Sequence, residues 1–167
     1  MSAHPIEQVL ATLSAAKVRY LVVGGVAVVL HGHLRTTAAL DLVVALDEGN
    51  ARRAVEALES MGFRPRAPVP AAQFADPQAR DSWVVEKGLS VFSMWSDQVA
   101  GLEVDLFVKE PFDFEQGYAR SIEVTLDSTS ARIASLEDLL AMKRAAGRPQ
   151  DLADIEALEA IARQERP

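Results

Sequence analysis

The chain has no cysteine, which excludes a disulfide framework and thiolate chemistry and suits a reducing cytoplasm, the expected location. It has no apolar run approaching the roughly 20 residues that cross a bilayer. It does not begin with a basic segment followed by an apolar stretch, so no signal peptide is expected. Basic residues are the minority: 17 Lys and Arg against 24 Asp and Glu give a net charge of -7. That balance disfavours broad electrostatic binding to nucleic acid and leaves room only for a local basic groove. Internal repeats and low-complexity tracts are also missing. What remains is ordinary globular composition, 49% hydrophobic and 25% charged over 167 residues. This is enough for one domain with a real core. The expected division is a core over about 18–134 and C-terminal helices over about 135–164 within a single domain, 1–167.

Apolar spacing and punctuation give a coarse map. Pro5 suits the first turn of a helix with the stripe Ile6, Val9, Leu10 and Leu13. Residues 19–23 predict a short buried strand, which Gly24-Gly25 breaks. A short helix over 26–30 follows, closed by Gly32. Residues 40–46 predict a second strand, and Asp47 caps a helix that Gly62 ends. From 64 to about 82, Pro65, Pro68, Pro70 and Pro77 predict a long loop, with a helical turn near 71–74. Strands are expected at 91–95 and 102–108, a short helix at 112–119, and edge pieces at 122–126 and 131–134. Ser135 with Asp138 resembles a capping box that opens a helix ending at Gly147. Pro149 then starts a last helix with the stripe Leu152, Ile155, Leu158 and Ile161. Interleaved strands and helices predict an α/β fold, a mixed sheet covered by helices with a helical C-terminal part.

Chemistry concentrates between Gly24 and Asp41. Glycine lets backbone approach a ligand closely, and the following helix start presents free N–H groups, so the turn suits a phosphate. A double glycine alone is as well explained by a tight turn, and neither the Rossmann nor the P-loop pattern is present. On the next strand Ala39, Asp41, Val43 and Ala45 share one face. Asp41 opens an otherwise apolar strand, where it either holds a hard cation or marks a solvated strand end. In 102–108, Glu103 and Asp105 face away from Leu102, Val104, Leu106 and Val108. They either face water on a one-sided strand or, if the strands are neighbours, Asp105 joins Asp41 at one cation.

The run His31-Gly32, then Arg35, Thr37, Ala39, Leu40 and Asp41, resembles nucleotidyltransferase-fold proteins of the AbiEii-like family. That family carries a Gly-Gly or Gly-Ser turn, His-Gly, and Arg-x-Thr-x-Asp-Leu-Asp, with a third Asp on a later strand. Asp41 and Asp105 match the second and third acids, and Ala39 stands where the first is expected. Ser135 to Leu139, Lys143, Arg148, Asp151 and Asp154 resemble the family's C-terminal signature. The likeness covers about 20–158. It implies a polymerase beta-like fold and metal-dependent transfer of a nucleoside monophosphate from an NTP to an RNA, protein or small-molecule acceptor, using Mg²⁺ or Mn²⁺. It further implies metal ligation by Asp41 and Asp105, and nucleotide contacts from Gly24, Gly25, Arg35, Thr37, Lys143 and Arg148. The implied setting is the toxin of a toxin–antitoxin pair with a cognate antitoxin partner. Two-metal chemistry of this kind needs carboxylate oxygens about the cations, so Ala39 predicts weak metal binding and little or no catalysis. Ala39 is either native or an introduced Asp-to-Ala change, and the intact flanks favour the second.

Two other functions stay open: a noncatalytic nucleotide- or partner-binding module, and an antitoxin-type nucleotidyltransferase that modifies a partner toxin. His31 and His33 lack zinc spacing. Trp83 and Trp95 are expected as core anchors. Arg64, Arg66 and Arg80 are the basic residues that favour an RNA acceptor, against the acidic net charge.

Overall fold

A computed structural model describes residues 4–99 and 101–164. Helix α1 (Pro5–Ala15) begins with Pro5 and is capped by the His4 ring, which accepts from the Ile6 N–H. Strand β1 (Tyr20–Val23) runs directly into α2 (Gly24–Leu30), so Gly24 and Gly25 end the strand and are themselves the first turn of the helix. Strand β2 (Ala39–Val44) is followed by α3 (Glu48–Ser60), whose Asp47 cap accepts from the Asn50 N–H.

The proline-rich stretch is more ordered than its composition predicts. It holds β3 (Arg64–Pro65), a 3₁₀ turn (Ala71–Ala75) and α4 (Pro77–Lys87). Pro77 occupies the first helical position, where its missing N–H costs nothing, and Asp76 caps through Gln78. Here proline opens helices instead of marking a loop.

The remaining elements are β4 (Val91–Trp95), β5 (Glu103–Phe107), α5 (Phe114–Arg120), β6 (Ile122–Thr125), β7 (Ser130–Ile133), α6 (Leu136–Ala146) and α7 (Pro149–Gln164). Ser135 accepts from the Asp138 N–H at the start of α6, and Gly147 ends it in the left-handed conformation. The strands form one mixed sheet in the order β3-β4-β5-β2-β1-β7-β6. Of the two expected edge pieces, β7 is therefore internal, parallel to β1, and β6 alone lies at an edge, opposite the β3 edge.

The two faces of the sheet pack differently. Leu40, Leu42, Val44, Val104 and Leu106 point into the larger core with α1, α3 and the 3₁₀ turn. Leu21, Val23, Val43, Phe114 and Ala134 form a smaller cluster on the other face. Trp83 stacks on Phe92 in the larger core, whereas Trp95 is only partly buried and lies under the Arg64 guanidinium. Arg80, expected near a solvent-facing loop, is buried and donates to the carbonyls of Phe74 and Leu46. It holds the sheet-to-helix connection and is not available to an RNA. Among the described residues, no helix is long and apolar enough to cross a membrane.

Candidate active site

The smaller face of the sheet carries the acids. Strands β2 and β5 are parallel neighbours, with Asp41 in register with Asp105 and Ala39 with Glu103. Neighbouring strands lie about 4.8 Å apart, so the two carboxylates sit side by side. Burial raises the Asp41 pKa, the adjacent Asp105 charge raises it further, and together they bring it to about 7. Burial also raises Asp105, although the Ser93 hydroxyl, in register on β4, pulls the other way. The Oδ1 oxygen of Asp105 is buried without a hydrogen-bond partner.

The glycine turn presses on this pair. A Cβ on Gly24 would lie 2.0 Å from Asp41 Oδ2, and Gly24 has φ +66°, so the position admits no side chain. A Cβ on Gly25 would meet Thr37 Oγ1 at 2.7 Å and Arg35 Nη2 at 3.1 Å. The turn, Arg35, Thr37 and Asp41 thus close around one space.

Across the cleft, α6 and α7 supply charge. Lys143 is buried, with Nζ 3.3 Å from Asp151 and 3.0 Å from Asp154. Arg148 Nε donates to Asp151 at 2.7 Å, and Arg35 Nη2 donates to Asp154 at 3.2 Å. Burial opposes ionisation of both acids, but Arg148 and Lys143 hold Asp151, and Lys143 and Gln150 hold Asp154, below the usual carboxylate range. Three cations meet two carboxylates, so this network has a positive charge in excess. Both Lys143 and Arg148 act on Asp41 electrostatically, which places that excess at the acid pair.

Two cavities meet over the acids, sharing Gly24, Asp41, Asp105, Lys143 and Arg148. One, about 580 Å³, adds Gly25, Arg35, Thr36, Thr37, Ala39 and Gln150. The other, about 720 Å³, adds Val91, Phe107, Phe112, Leu139 and Met142. The structure therefore brings together every site residue expected from sequence. His31 instead bonds the Ala134 carbonyl at 2.9 Å and is a packing residue. Sequence reasoning missed the second cavity, although Phe107 is two residues from Asp105 and shares its strand face. It also missed Ser93 and the register of Glu103 with Ala39, which depend on strand pairing.

Comparison with known proteins adds a family and a fold. Residues 4–165 match the family described as nucleotidyltransferase of unknown function (DUF6036). No curated protein matches the sequence. Among solved structures, the lincosamide antibiotic adenylyltransferase LnuA, lincomycin-bound, is similar at TM-score 0.65 and 16% identity, over 96% of this chain and 98% of that one. ANT(2″)-Ia in complex with adenylyl-2″-tobramycin is similar at TM-score 0.58 and 14% identity, over 93% of this chain and 91% of that one. At such identities the likeness concerns the fold.

Proposed function

The chain belongs to the DUF6036 nucleotidyltransferase family, and from that premise we propose that its cleft transfers a nucleoside monophosphate from a bound NTP to an acceptor hydroxyl, at a site weakened by Ala39. The observation that carries this reading is the Asp41–Asp105 register pair, with an unpartnered buried oxygen, facing the glycine turn and a cationic network.

The residues present fit one hard divalent cation, Mg²⁺ or Mn²⁺. Two adjacent carboxylates that repel each other gain from a shared cation, and the buried Asp105 Oδ1 gains a partner. When bound, the cation neutralises charge on the phosphate oxygens. Asp41 and Asp105 would hold it, and Ala39 leaves the third carboxylate position empty. Among the described residues, no group of three or more His, Cys, Asp or Glu is placed to bind a metal.

The rest of the chemistry belongs to this chain. Gly24 and Gly25 admit the phosphates closely, and Arg35, Lys143 and Arg148 supply the excess positive charge that binds them. The acceptor oxygen forms a bond to the α-phosphorus while the bond from that phosphorus to pyrophosphate breaks. Pyrophosphate leaves with the electron pair, and the hydroxyl proton passes to solvent water. The test is transfer of α-labelled NTPs to an acceptor in cell extract, comparing the chain as it stands with Ala39→Asp. We expect label incorporation to be at least tenfold faster in Ala39→Asp. Equal, background-level labelling in both would favour a noncatalytic nucleotide-binding module. The toxin role and antitoxin partner rest on the His31 to Asp41 resemblance, and induced expression of the same two forms tests them through growth rate.

A further inference from the structure

We propose that the second arm of the cleft, lined by Val91, Phe107, Phe112, Leu139 and Met142, is the acceptor site, and that it takes a small, uncharged molecule with an apolar body and a hydroxyl group. This rests on the nucleotidyl-transfer reading above.

Direction comes from strand register. Ala39 lies two residues before Asp41 on the acid-bearing face, and it lines the polar arm with Gly25 and Arg35. Phe107 lies two residues beyond Asp105 on the same face, paired with Val91, and both line the apolar arm. A strand rises about 3.3 Å per residue. The two arms therefore leave the acid pair in opposite directions, each by about 7 Å at these positions. Phosphoryl transfer needs its attacking and leaving oxygens roughly in line. With pyrophosphate leaving into the polar arm, which adds Arg35 and the Gly25 turn to the shared Lys143 and Arg148, the attacking hydroxyl arrives from the other one.

Chemical class comes from the walls. Asp138 lines the apolar arm, but Arg120 holds it with two hydrogen bonds of 3.0 and 2.9 Å. Asp151 is held by Lys143 and Arg148. Outside the reacting pair, the acids of this wall are already matched, so a polyamine or polyamino sugar finds no spare counter-charge. Lys143 and Arg148 lie where this arm meets the polar one, and the arm adds no cation of its own, so a polyanionic RNA strand finds little along it. Apart from Ser90, the rest of the wall is apolar, and a cavity of about 720 Å³ falls within the size that encloses a small molecule.

The test uses the neutral apolar fluorophore N-phenyl-1-naphthylamine, titrated into the full chain with and without a non-hydrolysable ATP analogue. The position for a blocking variant is Ala145, an exposed residue of α6 on the arm's rim, where a new side chain does not disturb the core. We expect saturable dye binding that the nucleotide analogue does not displace, and that Ala145→Arg weakens at least tenfold with nucleotide affinity unchanged. Spermine or an RNA oligonucleotide at equal concentration should leave the dye bound. Competition by the nucleotide would make the arm a nucleobase site and overturn the proposal. So would displacement by spermine or RNA, or dye binding indifferent to Ala145→Arg. If the nucleotide analogue itself fails to bind, the transfer reading fails, while the dye and Ala145→Arg still report on the arm.

Discussion

At Asp41, burial and the neighbouring Asp105 hold a proton on the carboxyl until about pH 7, against an ordinary value of 3.8. The folded pKa is the higher one, so the folded protein keeps this proton over a range where the unfolded chain has lost it. Its contribution to stability is complete below about pH 4 and is lost as pH rises through about 7. Asp41→Asn removes the ionisation that costs stability at high pH. It is expected to raise stability at pH 8 by up to about 4 kcal/mol and to leave pH 4 little changed. Thermal unfolding at both pH values checks this, and equal shifts at the two would show that Asp41 does not hold a proton. The sequence showed Asp41 and Ala39 on one strand face, because alternation is a local rule. It did not show Glu103 beside Ala39 or Ser93 beside Asp105, because register is set by the whole sheet.

Helix α7 shows how charge can override hydrophobic spacing. Its apolar residues predict a buried stripe through Leu152, yet Leu152 is 59% exposed, while Asp151 and Asp154 are buried together with Leu158. Two buried acids are tolerable only because Lys143, Arg148 and Arg35 meet them. Removing Lys143 leaves both without their shared cation, so Lys143→Ala is expected to cost about 3–5 kcal/mol in urea unfolding. A loss below about 1 kcal/mol would return Lys143 to the role of an ordinary surface cation. Leu158→Ala should cost about 2–5 kcal/mol, whereas Leu152→Ala should stay within about 0.5 kcal/mol. The reverse order of these two would contradict the orientation of α7. The stretch 64–82 was misread for a related reason. Its prolines look like loop punctuation, but Pro77 sits where a helix accepts proline best, and α4 buries only Arg80 and Trp83. So short a buried face leaves little periodic signal.

Across the whole molecule, the site is assembled from distant pieces of chain: the turn after β1, the start of β2, the middle of β5 and the facing ends of α6 and α7. Alternating strands and helices predicted the mixed sheet. The order that makes β2 and β5 neighbours, and turns β7 inward, depends on crossovers that local patterns do not encode. The apolar arm was equally hidden, because its walls come from β4, β5, α6 and the segment holding Phe112. What could be read locally was the motif from Gly24 to Asp41, and with it the one position that departs from the pattern. Ala39 shares the face of Asp41 and stands in register with Glu103 at the mouth of the polar arm. A carboxylate there would complete a three-acid site, at some cost in repulsion without metal. The most direct measurement is therefore the Mn²⁺-dependent thermal shift of the chain as it stands and of Ala39→Asp, both with a non-hydrolysable ATP analogue. Ligand that binds the folded form raises its melting temperature, by an amount that grows with the logarithm of ligand concentration over Kd. The predicted result is a rise several degrees larger in Ala39→Asp, abolished when Asp41→Asn is added. Equal shifts in the two forms, or a shift that survives Asp41→Asn, would contradict the assignment of this cleft as a metal-dependent nucleotidyl-transfer site weakened at position 39.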